Sequence, residues 1–162
     1  MLNTDVLSEA ESILALARDR KFQLVTAESC TGGLIAAALT AIAGSSDVVD
    51  RGFVTYSNEA KAEMLGVPVE MLAEHGAVSE PVARAMAYGA LVNSLADVSV
   101  AVTGVAGPGG GSAEKPVGLV HLAVAKRLNS VVRTRREVFP GDRTDVRTAT
   151  VLTAFAMLRD II

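Results

Sequence analysis

The sequence predicts an α/β fold: a single-domain three-layer sandwich, with a mixed, mainly parallel sheet and helices on both faces. Three short apolar runs are expected to form buried strands, at residues 22–28, 51–57 and 97–104. Two later runs, 118–127 and 130–139, flank a turn at Leu128 and Asn129 and indicate a hairpin. Strands that alternate with helices and then give way to a hairpin are typical of a mixed sheet.

Helical segments are expected around these strands, at residues 5–20, 34–44, 58–66, 79–96 and 141–162. Their ends carry start and stop signals. Gly44 is expected to close the second helix and Asn58 to cap the third. Ser79 is expected to cap the fourth helix. Asp142 is expected to cap the last, with Asp145 three residues later.

Length and composition limit the class of protein. A chain of 162 residues fits one domain, expected to span residues 1–162, and can bury a core of its own. Half of the residues are hydrophobic but only 4% are aromatic, so the core is expected to consist of Ala, Val, Leu and Ile. The net charge of -3 and a single basic stretch, residues 133–137, argue against a nucleic-acid-binding surface.

The single cysteine excludes an internal disulfide and a zinc site built on cysteines. The N-terminus has acidic residues and no long apolar run, so no signal peptide is expected. The most apolar segment, residues 34–44, is too short to span a bilayer. The expectation is therefore a cytoplasmic protein without membrane contact.

Two loops, residues 28–33 and 104–116, follow predicted strands. If those strands are parallel, both loops lie at the carboxyl edge of the sheet, where open α/β folds bind ligands. The first loop enters a helix whose N-terminal amides suit a phosphate or an oxyanion. Ser29 is a candidate nucleophile there; the alternative is that Ser29 and Thr31 only cap the helix. The nucleophile-elbow pattern GxSxG is absent.

A serine nucleophile needs a base, and the sequence offers few. No acidic residue is placed to complete a triad with His75 or His121. Lys61 follows a strand by one turn of helix, and Tyr56 lies at the end of that strand, so both could meet Ser29 at one edge. A lysine can replace histidine when its pKa is depressed. The alternative is an interfacial tyrosine and a surface lysine.

Cys30 is a rival nucleophile. A helix N-terminus would lower its pKa if the thiol were exposed. The alternative is a small buried hydrophobic residue at the first turn of an apolar helix. The sequence indicates no histidine partner for Cys30, so a packing role for the thiol is favoured over a catalytic one.

The second loop, TGVAGPGGGSAEKPVG, lets backbone amides approach a phosphate or a flat ring closely. It matches neither GxGxxG nor the P-loop pattern, so a standard NAD domain or NTPase is not indicated. The alternative is a flexible surface loop. Arg143 opens the last helix and could clamp a phosphate or carboxylate, or could simply be an exposed side chain.

Several ordered motifs together resemble the CinA C-terminal domain family, the PncC-like nicotinamide-nucleotide amidases. They are TAESCTGG, GSS at 44–46, VTYSNEAK, GAVS at 76–79, TGVAGPGGG with KPVG, and FPGDR. The resemblance runs from about residue 5 to the C-terminus. The N-terminal molybdopterin-binding-like domain of full-length CinA proteins is not found, so the stand-alone form is expected.

The resemblance implies hydrolysis of the carboxamide of nicotinamide mononucleotide, giving nicotinic acid mononucleotide and ammonia in pyridine nucleotide salvage. It also implies an α/β sandwich, no metal or organic cofactor, and a homo-oligomer. Ser29 would be the nucleophile, Lys61 and Tyr56 would activate it, and Arg143 would hold the substrate. The positions expected to contact the substrate are Cys30, Thr31, Gly32, Gly33, Thr103, Gly104, Gly107, Gly109, Gly110 and Arg143.

The expected mechanism leaves one contact open. Neutral Lys61, directly or through Tyr56, takes the Ser29 proton, and amides of the 29–33 turn hold the oxyanion. Three other functions remain: a non-catalytic nucleotide-binding regulatory module, a cysteine hydrolase using Cys30, and a phosphate-transferring enzyme. The last would need a metal, for which Glu28 and Asp142 are the only candidate carboxylates near the loops.

Overall fold

A computed structural model describes residues 2–162. Five strands form one sheet: β1 (Leu24–Glu28), β2 (Val49–Val54), β3 (Val98–Gly104), β4 (Leu119–Lys126) and β5 (Val131–Val138). Their order is β2-β1-β3-β4-β5. The first three strands are parallel to one another, and β4 is antiparallel to both of its neighbours. The prediction of a mixed, mainly parallel sheet is confirmed.

Six α-helices cover the two faces of the sheet: α1 (Thr4–Arg20), α2 (Leu34–Thr40), α3 (Asn58–Leu65), α4 (Val69–His75), α5 (Glu80–Val92) and α6 (Arg143–Ile161). One buried cluster joins α1, α2 and α6 to one face, and a second joins α3, α4 and α5 to the other. Side chains alternate along β3: Val100 and Val102 belong to the first cluster and Ala101 to the second. This confirms the three-layer sandwich.

The predicted helix ends are correct in part. Asp142 and Asp145 form a capping box at the start of α6, as expected. The cap of α3 is Ser57, whose Oγ accepts from the Ala60 amide, so the assignment of the cap to Asn58 is wrong by one residue. Ser79 does occupy the cap position of α5, but its hydroxyl donates to the Gly76 carbonyl instead of capping the helix.

The second helix is shorter than the apolar pattern predicts. Helix α2 ends at Thr40, and a 3₁₀ turn at Ser45–Asp47 follows Gly44, which has a left-handed backbone conformation. The separate helix α4 was not expected, because its seven residues give too short a periodic pattern. Among residues 2–162, no helix is both long and apolar enough to cross a bilayer.

The three parallel strands end at the same edge of the sheet. Two further hydrogen bonds extend this edge: the Ser29 amide donates to the Val102 carbonyl, and the Thr55 amide donates to the Glu28 carbonyl. The residues that follow β1, β2 and β3 are therefore held side by side by backbone bonds. This is the arrangement that the sequence predicts for a ligand site.

Small residues allow α5 to lie close to α3. Gly89 is buried in the middle of α5, and a Cβ atom built on it would overlap the carbonyl group of Leu65. Because the obstacle is backbone, no side-chain rotation can relieve it. Any side chain at this position must push α3 and α5 apart.

We expect Gly89→Ala to lower the free energy of unfolding by about 2 kcal/mol, because overpacking outweighs the better helix propensity of alanine. Urea denaturation followed by circular dichroism measures this. Gly109→Ala is the matched control, since nothing lies within 4 Å of a Cβ at Gly109. Equal stability of the two variants would contradict the close packing of α3 and α5.

Candidate active site

A cleft of about 250 Å³ lies at the carboxyl edge of the sheet. Seven of the thirteen residues predicted for the site line it: Ser29, Cys30, Tyr56, Lys61, Thr103, Gly104 and Arg143. They come from five segments, namely the ends of β1, β2 and β3, helix α3 and the start of α6. The topology therefore brings together side chains that are far apart in the sequence.

Ser29 and Lys61 are in contact at the base of the cleft. Lys61 Nζ lies 3.1 Å from Ser29 Oγ and donates to the Thr55 carbonyl at 2.8 Å. The lysine is only 1% exposed, although it lies on a short helix. No carboxylate within residues 2–162 forms an ion pair with it. The amine is thus held by two oxygens and is removed from water.

Burial lowers the pKa of Lys61 below its ordinary value, and the nearby Cys30 side chain opposes this only in part. A neutral amine has a lone pair and can accept the proton of a hydroxyl that lies within hydrogen-bond distance. The geometry therefore places a serine hydroxyl next to an amine whose pKa is lowered by burial. Of the two residues expected to activate Ser29, Lys61 is the one in direct contact.

Tyr56 contacts Arg143 instead. Arg143 Nη2 donates to the Tyr56 hydroxyl at 2.9 Å, and Nη1 donates to the Gly107 carbonyl at 2.8 Å. The tyrosine is 61% exposed, in contrast to the buried lysine. Arg143 thus joins the end of β2 to the glycine-rich loop and is fixed at the mouth of the cleft.

The carboxylate of Glu28 caps helix α2. Glu28 is fully buried, and its oxygens accept from the Thr31 hydroxyl and from the amides of Gly33, Ile35 and Ala36, at 2.6 to 3.1 Å. Neither Ser29 nor Thr31 caps the helix, so that alternative is wrong. The correct cap was missed because it lies in the preceding strand, five or more residues before the amides that it binds.

This cap changes which amides a ligand can reach. Gly33 N–H is occupied by Glu28, and Gly32 N–H donates to the Ser29 carbonyl. Of the amides expected to hold an oxyanion, those of Cys30 and Thr31 are the ones not engaged in this way. Thr31, Gly32 and Gly33 also lie outside the cleft lining, so their predicted contact with substrate has no support in the geometry.

Cys30 lies beside the serine but is only 6% exposed. Burial raises the pKa of its thiol to about 12, and the charge of Glu28 contributes to the rise. The thiolate that a nucleophile requires is therefore scarce near neutral pH. The alternative of a small buried packing residue fits this environment better than the nucleophile does.

The glycine-rich loop contributes less to the lining than its length suggests. Gly104 lines the cleft, and the Gly107 carbonyl accepts from Arg143. Gly109 and Gly110 are exposed and lie outside the lining. Thr103, just before the loop, donates its hydroxyl to the Ala77 carbonyl and thereby ties β3 to the opposite wall.

Some residues of the site were not found from the sequence. Ala77 and Val78 form one wall of the cleft, and the Thr55 carbonyl anchors Lys61. These residues act through backbone or shape, for which residue type gives no signal. The GAVS motif at 76–79 was the one hint, but it came without a role.

The histidines and the candidate metal carboxylates have other contacts. Neither His75 nor His121 lines the cleft. Glu28 and Asp142 are both engaged as helix caps. No cluster of three or more potential metal-binding side chains is found within residues 2–162. The two carboxylates therefore do not converge in the way that a phosphate-transferring enzyme would require.

Fold and site together define an α/β protein with a serine–lysine pair in a cleft at the carboxyl edge of its sheet. A family model of the CinA C-terminal domain matches residues 7–162, and the chain belongs to this family.

Curated relatives and solved structures are similar to most of the chain. Nicotinamide-nucleotide amidohydrolase PncC of Escherichia coli K12 is 52% identical, over 91% of this chain and 88% of that protein. A putative competence-damage inducible protein of Caldicellulosiruptor bescii is 51% identical over 92% of this chain, which spans only 36% of that longer protein. The crystal structure of competence/damage inducible protein CihA from Agrobacterium tumefaciens has a TM-score of 0.96 and 55% identity, covering 99% of this chain and 97% of that one.

We expect Glu28→Gln to reduce the free energy of unfolding by about 3 kcal/mol, because the new amide NH₂ group must face N–H donors in a buried site. Asp142→Asn is the control, since asparagine remains a good cap for the exposed start of α6. Urea denaturation compares the two variants. If Glu28→Gln costs no more than Asp142→Asn, the carboxylate does not hold the turn.

Proposed function

We propose that this protein is an amidohydrolase that converts nicotinamide mononucleotide to nicotinic acid mononucleotide and ammonia, in pyridine nucleotide salvage. The observation that carries the proposal is the 3.1 Å contact between Lys61 Nζ and Ser29 Oγ inside the cleft. The similarity over 91% of the chain to a protein named nicotinamide-nucleotide amidohydrolase supports the substrate. A carboxamide is a substrate that a serine with a neutral base can attack.

In the first step, neutral Lys61 accepts the Ser29 proton while Oγ bonds to the carboxamide carbon. The carbonyl π electrons move to oxygen and give a tetrahedral oxyanion. The amide of Cys30, which lines the cleft and which Glu28 does not occupy, is the donor proposed to hold it. Burial lowers the pKa of Lys61 and so increases the fraction of the amine that is neutral and able to accept this proton at a given pH.

In the second step, the C–N bond breaks and Lys61 returns its proton to the leaving nitrogen, which departs as ammonia. The remaining ester links the pyridine carbonyl to Ser29. Lys61 then removes a proton from water, and the hydroxide attacks the ester carbon. Collapse of this intermediate breaks the C–O bond, Ser29 regains its proton from Lys61, and the product acid ionises to solvent.

Arg143 and Tyr56 have a different part in this proposal. The hydrogen bonds of Arg143 to Tyr56 and Gly107 fix its guanidinium at the mouth of the cleft, where it can hold the substrate. Tyr56 then acts by positioning Arg143, whereas the resemblance to the family implies that both Tyr56 and Lys61 activate Ser29. The 2.9 Å bond to the guanidinium is the observation that supports this assignment.

We expect the native protein to release ammonia from nicotinamide mononucleotide and Ser29→Ala to lose more than about 100-fold of that activity, since the hydroxyl forms the new bond. Cys30→Ala is the matched control from the adjacent position, and we expect it to keep turnover within about tenfold. Ammonia is measured by a coupled assay, with folding checked by circular dichroism.

If the native protein releases no ammonia, the proposed amidase activity is refuted and the non-catalytic nucleotide-binding module is favoured. Full activity in Ser29→Ala together with inactive Cys30→Ala would instead move the nucleophile to the thiol. The nucleotide-binding module and the cysteine hydrolase thus predict different outcomes of the same assay.

The ionisation of Lys61 should determine the pH dependence of kcat/KM. Only neutral Lys61 accepts a proton, so activity rises with pH and levels off above the pKa of Lys61, which lies below its ordinary value of 10.5. Lys61→Arg keeps the charge but cannot deprotonate, and we expect it to lose more than about 100-fold of activity. Lys21→Arg, at an exposed position, is the control. Native-like rates and an unchanged acid limb in Lys61→Arg would exclude the lysine as the base.

A further inference from the structure

A row of three side chains crosses the sheet away from the cleft. Thr103 on β3 is paired with His121 on β4, which is paired with Arg136 on β5. Directly paired residues project from the same face of a sheet, so all three lie on the face covered by α5. Thr103 itself lines the cleft. The row therefore begins at the candidate site and leads outward to an arginine.

Lys115 joins this row from the glycine-rich loop. Its Nζ donates to the His75 carbonyl at 2.6 Å, two residues before Ala77 in the cleft wall. Both Lys115 and Arg136 act electrostatically on His121: burial is the main cause that lowers the pKa of this imidazole, and the two cations lower it further. Glu80 opposes them and is the acidic group that acts on it. With a neutral imidazole, one positive charge remains in excess.

The polar groups of this cluster lack partners of opposite charge. Within residues 2–162, neither Lys115 nor Arg136 forms an ion pair, and Arg136 has no hydrogen bond. His121 Nδ1 is buried and has no hydrogen-bond partner. The neighbouring Arg135 differs, because it is paired with Glu137 at 2.6 Å. An arginine without an ion pair, a histidine paired with it across the strands and a lysine that acts electrostatically on that histidine form a site suited to an anion with several oxygens.

We infer that Lys115, His121 and Arg136 form a subsite for the phosphate of a pyridine mononucleotide, which rests on the proposed function. The carboxamide end of such a substrate lies at Ser29, beyond the end of β1. The row on β4 is two strand spacings from β1, roughly 10 Å across the sheet. A pyridine ring and a pentose separate the carboxamide from the phosphate, so the two ends of such a substrate can be held by residues of different strands.

The test compares two substrates and two matched variants. Arg136→Ala removes a cation of the row, and Arg135→Ala removes the adjacent cation, which projects from the opposite face of the same strand. Kinetics of ammonia release are measured with nicotinamide mononucleotide and with its dephosphorylated nucleoside. We expect Arg136→Ala and Lys115→Ala to raise KM for the mononucleotide at least tenfold, with kcat within about threefold. The nucleoside should respond to neither change.

Two further measurements complete the test. Arg136→Lys should recover part of the mononucleotide affinity, and Arg135→Ala should stay within about threefold of native. An equal effect of Arg136→Ala and Arg135→Ala, or an equal effect on nucleoside and mononucleotide, would overturn the subsite.

Calorimetry distinguishes failure of the amidase proposal from failure of the phosphate subsite. If the native protein releases no ammonia, titration with nicotinamide mononucleotide still tests the subsite directly. If Arg136→Ala weakens this binding tenfold and Arg135→Ala does not change it, the phosphate subsite is supported even though the proposed reaction is not. If the native protein does not bind nicotinamide mononucleotide, both the amidase proposal and the phosphate subsite are refuted.

Discussion

The buried carboxylate of Glu28 is the constraint on which the site depends. Burying a charge is costly unless it is hydrogen-bonded, and here one hydroxyl and three helix amides satisfy it. The negative charge also faces the positive end of α2. These bonds fix the turn between β1 and α2, and with it the position of Ser29. The same bonds occupy the amides of Gly33, Ile35 and Ala36, so these amides are not available to an oxyanion at Ser29.

The second constraint is the burial of a single amine. Helix α3 starts at a serine cap and ends at Gly66, and within its eight residues it turns Lys61 back toward the end of β2. One N–H of the amine satisfies the Thr55 carbonyl. A charged ammonium would have to remain buried without a carboxylate, which favours the neutral form. The lowered pKa of Lys61 is therefore a consequence of packing, since a lysine at the surface would be protonated near neutral pH.

Periodicity and turn signals were sufficient to predict all five strands. The expectation that parallel strands end at one edge of the sheet correctly predicted that Ser29 and Lys61 meet. The errors share a cause: they concern partners that residue type does not specify. Glu28 was considered as a metal ligand because a carboxylate in a loop has many possible uses, whereas only coordinates reveal the amides it meets. Tyr56 was placed on the correct edge, but its bond to Arg143 depends on how α6 approaches the sheet. Contacts set by tertiary approach cannot be read from local pattern.

Charge distribution reconciles an acidic protein with an anionic substrate. The net charge of -3 disfavours a polyanion, whose binding requires many cations along a continuous surface. A single phosphate requires only two or three cations within reach of one another, and the field at a cleft depends on nearby groups more than on the total. On the proposed function, the fold divides this work between two regions. The end of β1 and helix α3 hold the serine–lysine pair for the chemistry, while β5 and the glycine-rich loop hold the cations Arg136 and Lys115. Strand β3 separates the two regions, and the lowered pKa of Lys61 comes from burial, so it does not depend on the cations that bind the substrate.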